Sequence, residues 1–268
     1  MDSWLKEPFI DLPGGSGSPM RPVPQQRIRE KLDEHMSRRD YPAVERHLLY
    51  WLEEARQGRD ERGELMILNE MVGHYRKTGE REKSLAAGET ALKLLDALGF
   101  DGTVSAGTTY VNLATALSAF GEQARALELF DRARALYEAG DTEPQLLGGL
   151  YNNMALACAA LGRFDEAHAL YDRAMACMAR APHGELEQAI TCLNRANAVE
   201  AEHGMEAGEA RIFALVDQAS ALLAGSDAPL DGYYAFVCEK CAPTFEYYGY
   251  FLDAERLRLE AKRIYEGA

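Results

Sequence analysis

Residues 151–174 read YNNMALACAALGRFDEAHALYDRA, and this stretch decides the fold. The pattern predicts two short helices on either side of a turn at Gly162. Large side chains alternate at helical spacing with small ones, among them Ala155, Ala167 and Ala174. Small residues allow two helix backbones to approach closely, and the large side chains fill the space beside them. The stretch therefore predicts an antiparallel helix pair.

The turn glycine of this pair recurs along the chain at nearly constant spacing. Gaps of 42, 41, 42 and 45 residues separate five such markers, which are Gly79, Gly121, Gly162, Gly204 and Gly249. Arg39 lies 40 residues before the first of them and takes the place of a sixth, degenerate marker. Alanine and aromatic positions keep phase with the markers. The repeats predict an all-α fold of about six helix pairs.

The aromatic residue, Met-Ala, glycine and Ala-x3-Tyr-x2-Ala of residues 151–174 resemble a tetratricopeptide repeat. The period near 42 residues is longer than usual and resembles the repeats of kinesin light chains and of some bacterial peptide-sensing regulators. The Asn-Asn-Met-Ala of residues 152–155 is similar to the Asn-Asn-Leu-Ala of kinesin light chains. This resemblance implies a right-handed α-solenoid over residues 25–268, whose concave groove binds a peptide or a partner segment.

Composition and charge exclude several classes of function. The chain has no run of eighteen apolar residues, so we expect no membrane span. Its first residues lack the pattern of a secretory signal, which favours a cytoplasmic location. The net charge of −14 disfavours nucleic acid, because phosphate binding depends on concentrated Lys and Arg. Residues 63–268 carry eighteen basic and thirty-one acidic residues, a balance that favours basic ligands.

Residues 1–24 hold five prolines and three glycines, which predicts a flexible tail because proline breaks helices. The tail either stays disordered or docks, since Trp4 and Phe9 are unfavourable in water. Trp4 lies between Asp2 and Glu7 and loosely resembles the acidic-tryptophan peptides that kinesin-light-chain grooves accept. The tail could therefore fold back as an autoinhibitory plug or reach a second copy, which would be a self-interaction.

Polar residues follow the first aromatic position of successive repeats, and the resemblance places them on the groove. An asparagine amide offers donors and an acceptor that match the backbone of an extended peptide, and kinesin-light-chain repeats use asparagines in this way. The alternative is that each asparagine caps or bridges neighbouring helices. Arg76 could grip a carboxylate, and Glu200 and Glu202 could take a basic side chain. The predicted peptide-binding residues are Asn69, Arg76, Asn112, Thr115, Asn152, Asn153, Asn194 and Arg195.

Signatures of catalysis do not occur in the sequence. It contains no phosphate-binding loop, nucleophile elbow or His-Glu-x-x-His helix, so we predict neither an enzyme nor a cofactor. Cys238 and Cys241 have Cys-x-x-Cys spacing, but a zinc site needs four ligands and no second such pair is present. We therefore interpret these cysteines as buried core residues, with a metal or redox role as the alternative.

The last helix pair is rich in aromatic residues, and its final helix over residues 250–266 alternates acidic and basic side chains. This indicates a capping pair with a polar outer side, because a solenoid needs its end covered. A dimer or ligand patch of tyrosines is the alternative. The sequence as a whole predicts a non-enzymatic scaffold for protein–protein interaction. The alternative function is a peptide-sensing regulator that acts by conformational change or by sequestering a partner.

Overall fold

The computed structural model describes residues 21–267, and all regular secondary structure in this range is helical. The helices are α1 (Gln25–Ser37), α2 (Tyr41–Gly58), α3 (Glu61–Thr78), α4 (Arg81–Leu98), α5 (Val104–Ala119), α6 (Gln123–Ala139), α7 (Pro144–Ala160), α8 (Phe164–Met178), α9 (Glu185–Ala224), α10 (Gly232–Tyr247) and α11 (Phe251–Glu266). Among these described helices, none is long and apolar enough to cross a bilayer.

Helix α9 contains a sharp break. Gly204 has φ 78° and ψ 164°, which lie outside the helical region, so residues 185–203 and 205–224 form two segments of one helix pair. With α9 counted as a pair, the described chain contains six helix pairs. The predicted number of pairs is therefore confirmed.

The turn between the two helices of each pair contains a residue with a positive φ. The five marker glycines have φ between 73° and 86°, and Arg39 has φ 55°. Glycine adopts this conformation without strain because it has no Cβ, and it commonly ends helices for this reason. The spacing of the markers in the sequence thus reflects a backbone requirement of every pair.

The helices form two compact units, one ending at Asp141 and the other beginning at Thr142. The first helix of a pair packs on its own second helix. First helices of successive pairs also pack together, as α3 does on α5 in unit 1 and as α9 does on α7 and α10 in unit 2. We call the surface formed by the first helices of a unit its first-helix face. In unit 1 the face comprises α1, α3 and α5. In unit 2 it comprises α7, the first segment of α9, and α10.

Small and large residues interlock in the core as the sequence predicts. Ala126 and Ala133 of α6 are fully buried, and Phe130 between them is 1% exposed. A close approach occurs at Gly107, where a Cβ would be 2.3 Å from the ring of Tyr137. Only glycine fits there without moving a buried aromatic side chain, because protein interiors are close-packed.

The first described residues belong to the packed structure. Val23 is buried, and its N–H donates to Oδ2 of Asp60 at 2.8 Å. The N–H of Arg21 donates to the carbonyl of Gly58 at 3.2 Å. These contacts begin before residue 25, where we predicted the end of the tail. Residues 1–20, and with them the docking and plug hypotheses, lie outside the described residues.

The outer surface of α11 combines charged and apolar side chains. Arg258 pairs with Glu246 of α10, in keeping with the polar outer side that the sequence predicts. Exposed apolar side chains accompany them, since Phe251, Leu252 and Leu259 are 65%, 83% and 56% exposed. The surface of the last pair is therefore more apolar than the pattern of charges alone indicates.

Candidate functional site

The predicted asparagines of unit 1 meet each other across two repeats. Nδ2 of Asn112 on α5 donates to Oδ1 of Asn69 on α3 at 3.0 Å. Nδ2 of Asn69 in turn donates to Oγ1 of Thr109 and to the carbonyl of Leu65, each at 3.0 Å. These bonds use both donors of Asn69 and hold the first helices of two successive pairs together.

Unit 2 contains a corresponding amide pair. Nδ2 of Asn194 on α9 donates to Oδ1 of Asn152 on α7 at 3.1 Å. Asn152 is 3% exposed, so its amide lies beneath the surface. These four asparagines bridge neighbouring helices, which is the alternative given in the sequence analysis. Their contact with a ligand stays a prediction.

The other predicted site residues are distributed over both units. Nη1 of Arg195 on α9 pairs with Oδ1 of Asp172 on α8 at 2.6 Å, and its side chain is 21% exposed. Arg76 and Thr115 are half-buried on α3 and α5 of unit 1, and Asn153 is half-buried on α7 of unit 2. The structure therefore assigns Arg195 an ion pair within unit 2 and leaves three predicted residues partly accessible on the first-helix faces.

The amide pair of unit 2 is expected to couple Asn152 and Asn194 energetically. Either single alanine substitution should lower the free energy of unfolding by about 1–3 kcal/mol, because it leaves a largely buried polar group unpaired. The double variant should be less destabilised than the sum of the single variants, by about 1 kcal/mol. Urea unfolding followed by circular dichroism measures all four proteins.

The control for this cycle combines Asn152→Ala with Ser220→Ala. The hydroxyl of Ser220 donates to Oδ1 of Asp253 at 3.1 Å, a separate hydrogen bond in the same unit. These two substitutions should add within about 0.5 kcal/mol. Additivity in the Asn152 and Asn194 cycle would mean that their hydrogen bond does not contribute.

A cleft opens between the first segment of α9 and α10. It has a volume of about 580 Å³ and is lined by Asn197, Glu200, Ala201, Pro243, Thr244 and Tyr247. Tyr247 is 64% exposed, while the adjacent Tyr248 is buried. The sequence indicated Glu200 as a site for a basic side chain, but it did not place any tyrosine beside it.

Two tyrosine hydroxyls hold the carboxylate of Glu200 in this cleft. The hydroxyl of Tyr247 donates to Oε1 at 2.7 Å. The hydroxyl of Tyr248 lies 2.8 Å from Oε2 and 2.9 Å from Oδ1 of Asn197, and its proton can be donated to either. The hydrogen bond to Glu200 raises the pKa of Tyr247, and burial followed by this hydrogen bond raises that of Tyr248. Both phenols are therefore neutral donors at neutral pH.

Glu202, the other acidic residue that the sequence singled out, has different partners. Its Oε2 lies 2.9 Å from Nε2 of His168 on α8 and 3.4 Å from Nε2 of His203. Glu200 contacts α10 instead. The two carboxylates therefore do not form one acidic pair.

All five cysteines are buried and free of disulfides. Burial raises the pKa of Cys192 to about 11 and that of Cys238 to about 12, and it also raises the pKa of Cys241. The thiolate is the form that attacks electrophiles and binds metals, so these shifts disfavour both roles. The Cys-x-x-Cys spacing is explained by two core positions on α10.

Three possible metal ligands meet at the start and the end of α9. Nδ1 of His183 lies 3.4 Å from Oδ1 of Asp227 and 3.9 Å from Oε1 of Glu185. The Asp227 side chain is 93% exposed, and the hydroxyl of Ser226 donates to Glu185 at 2.7 Å. These three side chains form a charged cluster at the surface, and we assign no metal role to them.

Family models for the tetratricopeptide repeat match residues 63–139 and 148–181. The chain carries tetratricopeptide repeats. The matched residues cover the second, third and fourth helix pairs, including the stretch from which the resemblance was inferred. The remaining pairs lie outside the matched residues and share the same helix–turn–helix arrangement. No characterised protein sequence matches the chain significantly.

Two solved structures have a similar fold. BtubC (BKLC) from P. vanneervenii matches with a TM-score of 0.63 and 21% identity, covering 74% of this chain and 79% of that chain. A putative kinesin light chain from Podosopora anserina with nearly identical TPR-like repeats matches with a TM-score of 0.51 and 18% identity, covering 74% and 92%. Identities this low show the fold alone. The predicted all-α solenoid fold class is thereby confirmed.

Proposed function

We propose that the chain is a protein-interaction scaffold whose first-helix faces bind a peptide or an extended segment of a partner. Tetratricopeptide repeats in general mediate protein–protein interaction, which supports the class of function. The observation that supports a peptide ligand is the cleft between α9 and α10. Ligand sites are commonly concave and combine apolar surface with positioned polar groups. This cleft has apolar surface at Ala201 and Pro243, and its other lining residues carry polar groups.

Small residues leave room for a ligand on both faces. Ala119 on α5 is exposed in unit 1, and Ala160 on α7 and Ala201 on α9 are exposed in unit 2. Arg76 and Thr115 are proposed to contact a ligand in unit 1, and Asn153 in unit 2. A cytoplasmic location is proposed as well, because a reducing compartment keeps the five cysteines free.

A pair of alanine-to-arginine variants on α9 tests this function. Ala201 lines the cleft, while Ala210 is an equally small, exposed residue on the second segment. Peptides selected from a random display library on the full chain should lose roughly tenfold or more in affinity for Ala201→Arg, since the long side chain fills the cleft. Their affinity for Ala210→Arg should stay within about twofold of wild type.

Fluorescence anisotropy with labelled peptides measures both affinities, and circular dichroism checks that each variant is folded. Peptides that bind Ala201→Arg as tightly as wild type would remove the cleft from the proposed function. An equal loss in both variants would mean that binding does not depend on the first-helix face.

A further inference from the structure

We propose that the cleft between α9 and α10 binds an arginine or lysine side chain of the partner segment. In this arrangement Glu200 is the counter-ion and the ring of Tyr247 contacts the cation. The inference rests on the proposed function and names the chemistry of its ligand. It depends on three observations: a fixed carboxylate, an exposed ring and a local excess of negative charge.

The carboxylate of Glu200 is oriented before any ligand arrives. Tyr247 donates to one oxygen and Tyr248 lies within hydrogen-bond distance of the other, so the rotamer is held from both sides. A carboxylate oxygen can accept two hydrogen bonds. Each oxygen of Glu200 can therefore still accept a hydrogen bond from an N–H group of a bound cation. The entropy cost of ordering this side chain on binding is small, because its rotamer is already held.

Glu200 has no cationic partner within residues 21–267. On the two helices that line the cleft, the Lys or Arg residues nearest to it in sequence are engaged elsewhere. Arg195 pairs with Asp172, and Nζ of Lys240 lies 5.7 Å from the ring centroid of Phe236. Residues 142–268 hold nineteen acidic and ten basic residues, a net charge of −9, which raises the local concentration of cations.

The exposed ring of Tyr247 adds a second feature that favours a cation. Its hydroxyl bonds to Glu200, and the residue lines the same cleft while 64% of it stays accessible. A cation near an aromatic face is attracted by the ring electrons. Arginine is favoured over lysine here, because its planar guanidinium can stack on the ring while donating to the carboxylate.

The chain already pairs arginine with tyrosine in this manner inside each unit. The guanidinium carbon of Arg132 lies 4.1 Å from the ring centroid of Tyr110, and its Nη2 donates to the tyrosine hydroxyl at 2.6 Å. Arg173 lies 4.4 Å from the ring centroid of Tyr151. Tyr247 offers a comparable ring with a carboxylate beside it, so an arginine from a partner can occupy the corresponding position.

The test uses a random peptide display library selected on the full chain, followed by affinity measurements on Glu200→Gln. The matched control is Glu206→Gln, which removes the same charge from an exposed position on the second segment of α9. We expect selected peptides to be enriched in arginine or lysine. Glu200→Gln should lower their affinity roughly five- to tenfold, and Glu206→Gln less than about twofold.

Variants of Tyr247 provide a second measurement if Glu200→Gln is poorly folded. Tyr247→Phe keeps the ring and should retain most of the affinity, whereas Tyr247→Ala should lose roughly threefold or more. Replacing the basic residue of a selected peptide with citrulline, which is uncharged, should abolish the difference between wild type and Glu200→Gln. The wild-type affinity should also fall as salt is added, because the pair is only partly buried.

The possible failures of the inference and of the proposed function differ. Some peptides could lose affinity for Ala201→Arg, carry no basic residue and bind Glu200→Gln as tightly as wild type. This result would overturn the proposal that the cleft binds a basic side chain, and it would leave the scaffold function intact. A library that yields no peptide sensitive to Ala201→Arg overturns both.

Discussion

Replacing Phe245 with alanine is expected to lower the free energy of unfolding by about 3–5 kcal/mol. The ring is fully buried in the core between α9, α10 and α11, with the centroid of the Tyr250 ring 6.0 Å away. Its removal loses apolar burial and leaves a cavity that the surrounding helices can fill only in part. Urea unfolding followed by circular dichroism should show an earlier transition.

Phe251 provides the matched control six residues further on. It is 65% exposed, so Phe251→Ala removes the same atoms from a side chain that water already contacts. We expect a change within about 0.5 kcal/mol. Equal effects of the two substitutions would contradict the packing described for the last helix pair.

Replacing Asp60 with alanine is expected to destabilise unit 1 by about 2–4 kcal/mol. Asp60 is 5% exposed, and its carboxylate accepts from the N–H of Gly63 at 3.0 Å and from that of Val23 at 2.8 Å. The first bond caps α3, and the second holds residues 21–24 against the same turn. Alanine leaves both N–H groups without this acceptor in a buried site.

Asp40→Ala and Asp60→Asn separate the two roles of this carboxylate. Asp40 is exposed and caps α2 by accepting one hydrogen bond, from the N–H of Ala43 to its Oδ1 at 3.0 Å. Asp40→Ala should therefore lower the free energy of unfolding by about 1 kcal/mol. Asparagine at position 60 keeps an acceptor oxygen and should recover part of the stability. Hydrogen exchange at Val23 should accelerate in Asp60→Ala, and unchanged protection there would contradict the described contact.

The fold could be predicted from the sequence because its signals are local. A left-handed turn selects glycine, and close helix contact selects alanine beside an aromatic residue, so both leave marks at fixed spacing. The break at Gly204 was predicted in this way. Arg39 was placed from spacing alone, and its φ of 55° fits that position.

The candidate site could be predicted only in part, because side-chain partners depend on how neighbouring helices rotate. Asn69 lies ten residues before its marker and Asn112 nine, yet their amides bond to each other. Glu200 and Tyr247 are 47 residues apart, and no sequence pattern links them. Residue type indicated which side chains could bind a peptide, whereas contact between them is set by packing.

The turns that join the helices of each pair have a consequence for how such repeats change over evolutionary time. A Cβ at Gly79, Gly121 or Gly249 would meet no atom within 4 Å, so the only penalty for losing these glycines is the backbone preference. Arg39 shows that a residue with a Cβ can occupy such a turn. Substitution can therefore remove the glycine that marks a repeat while the helix hairpin persists. The sequence signal of such repeats should then be lost well before their fold is lost.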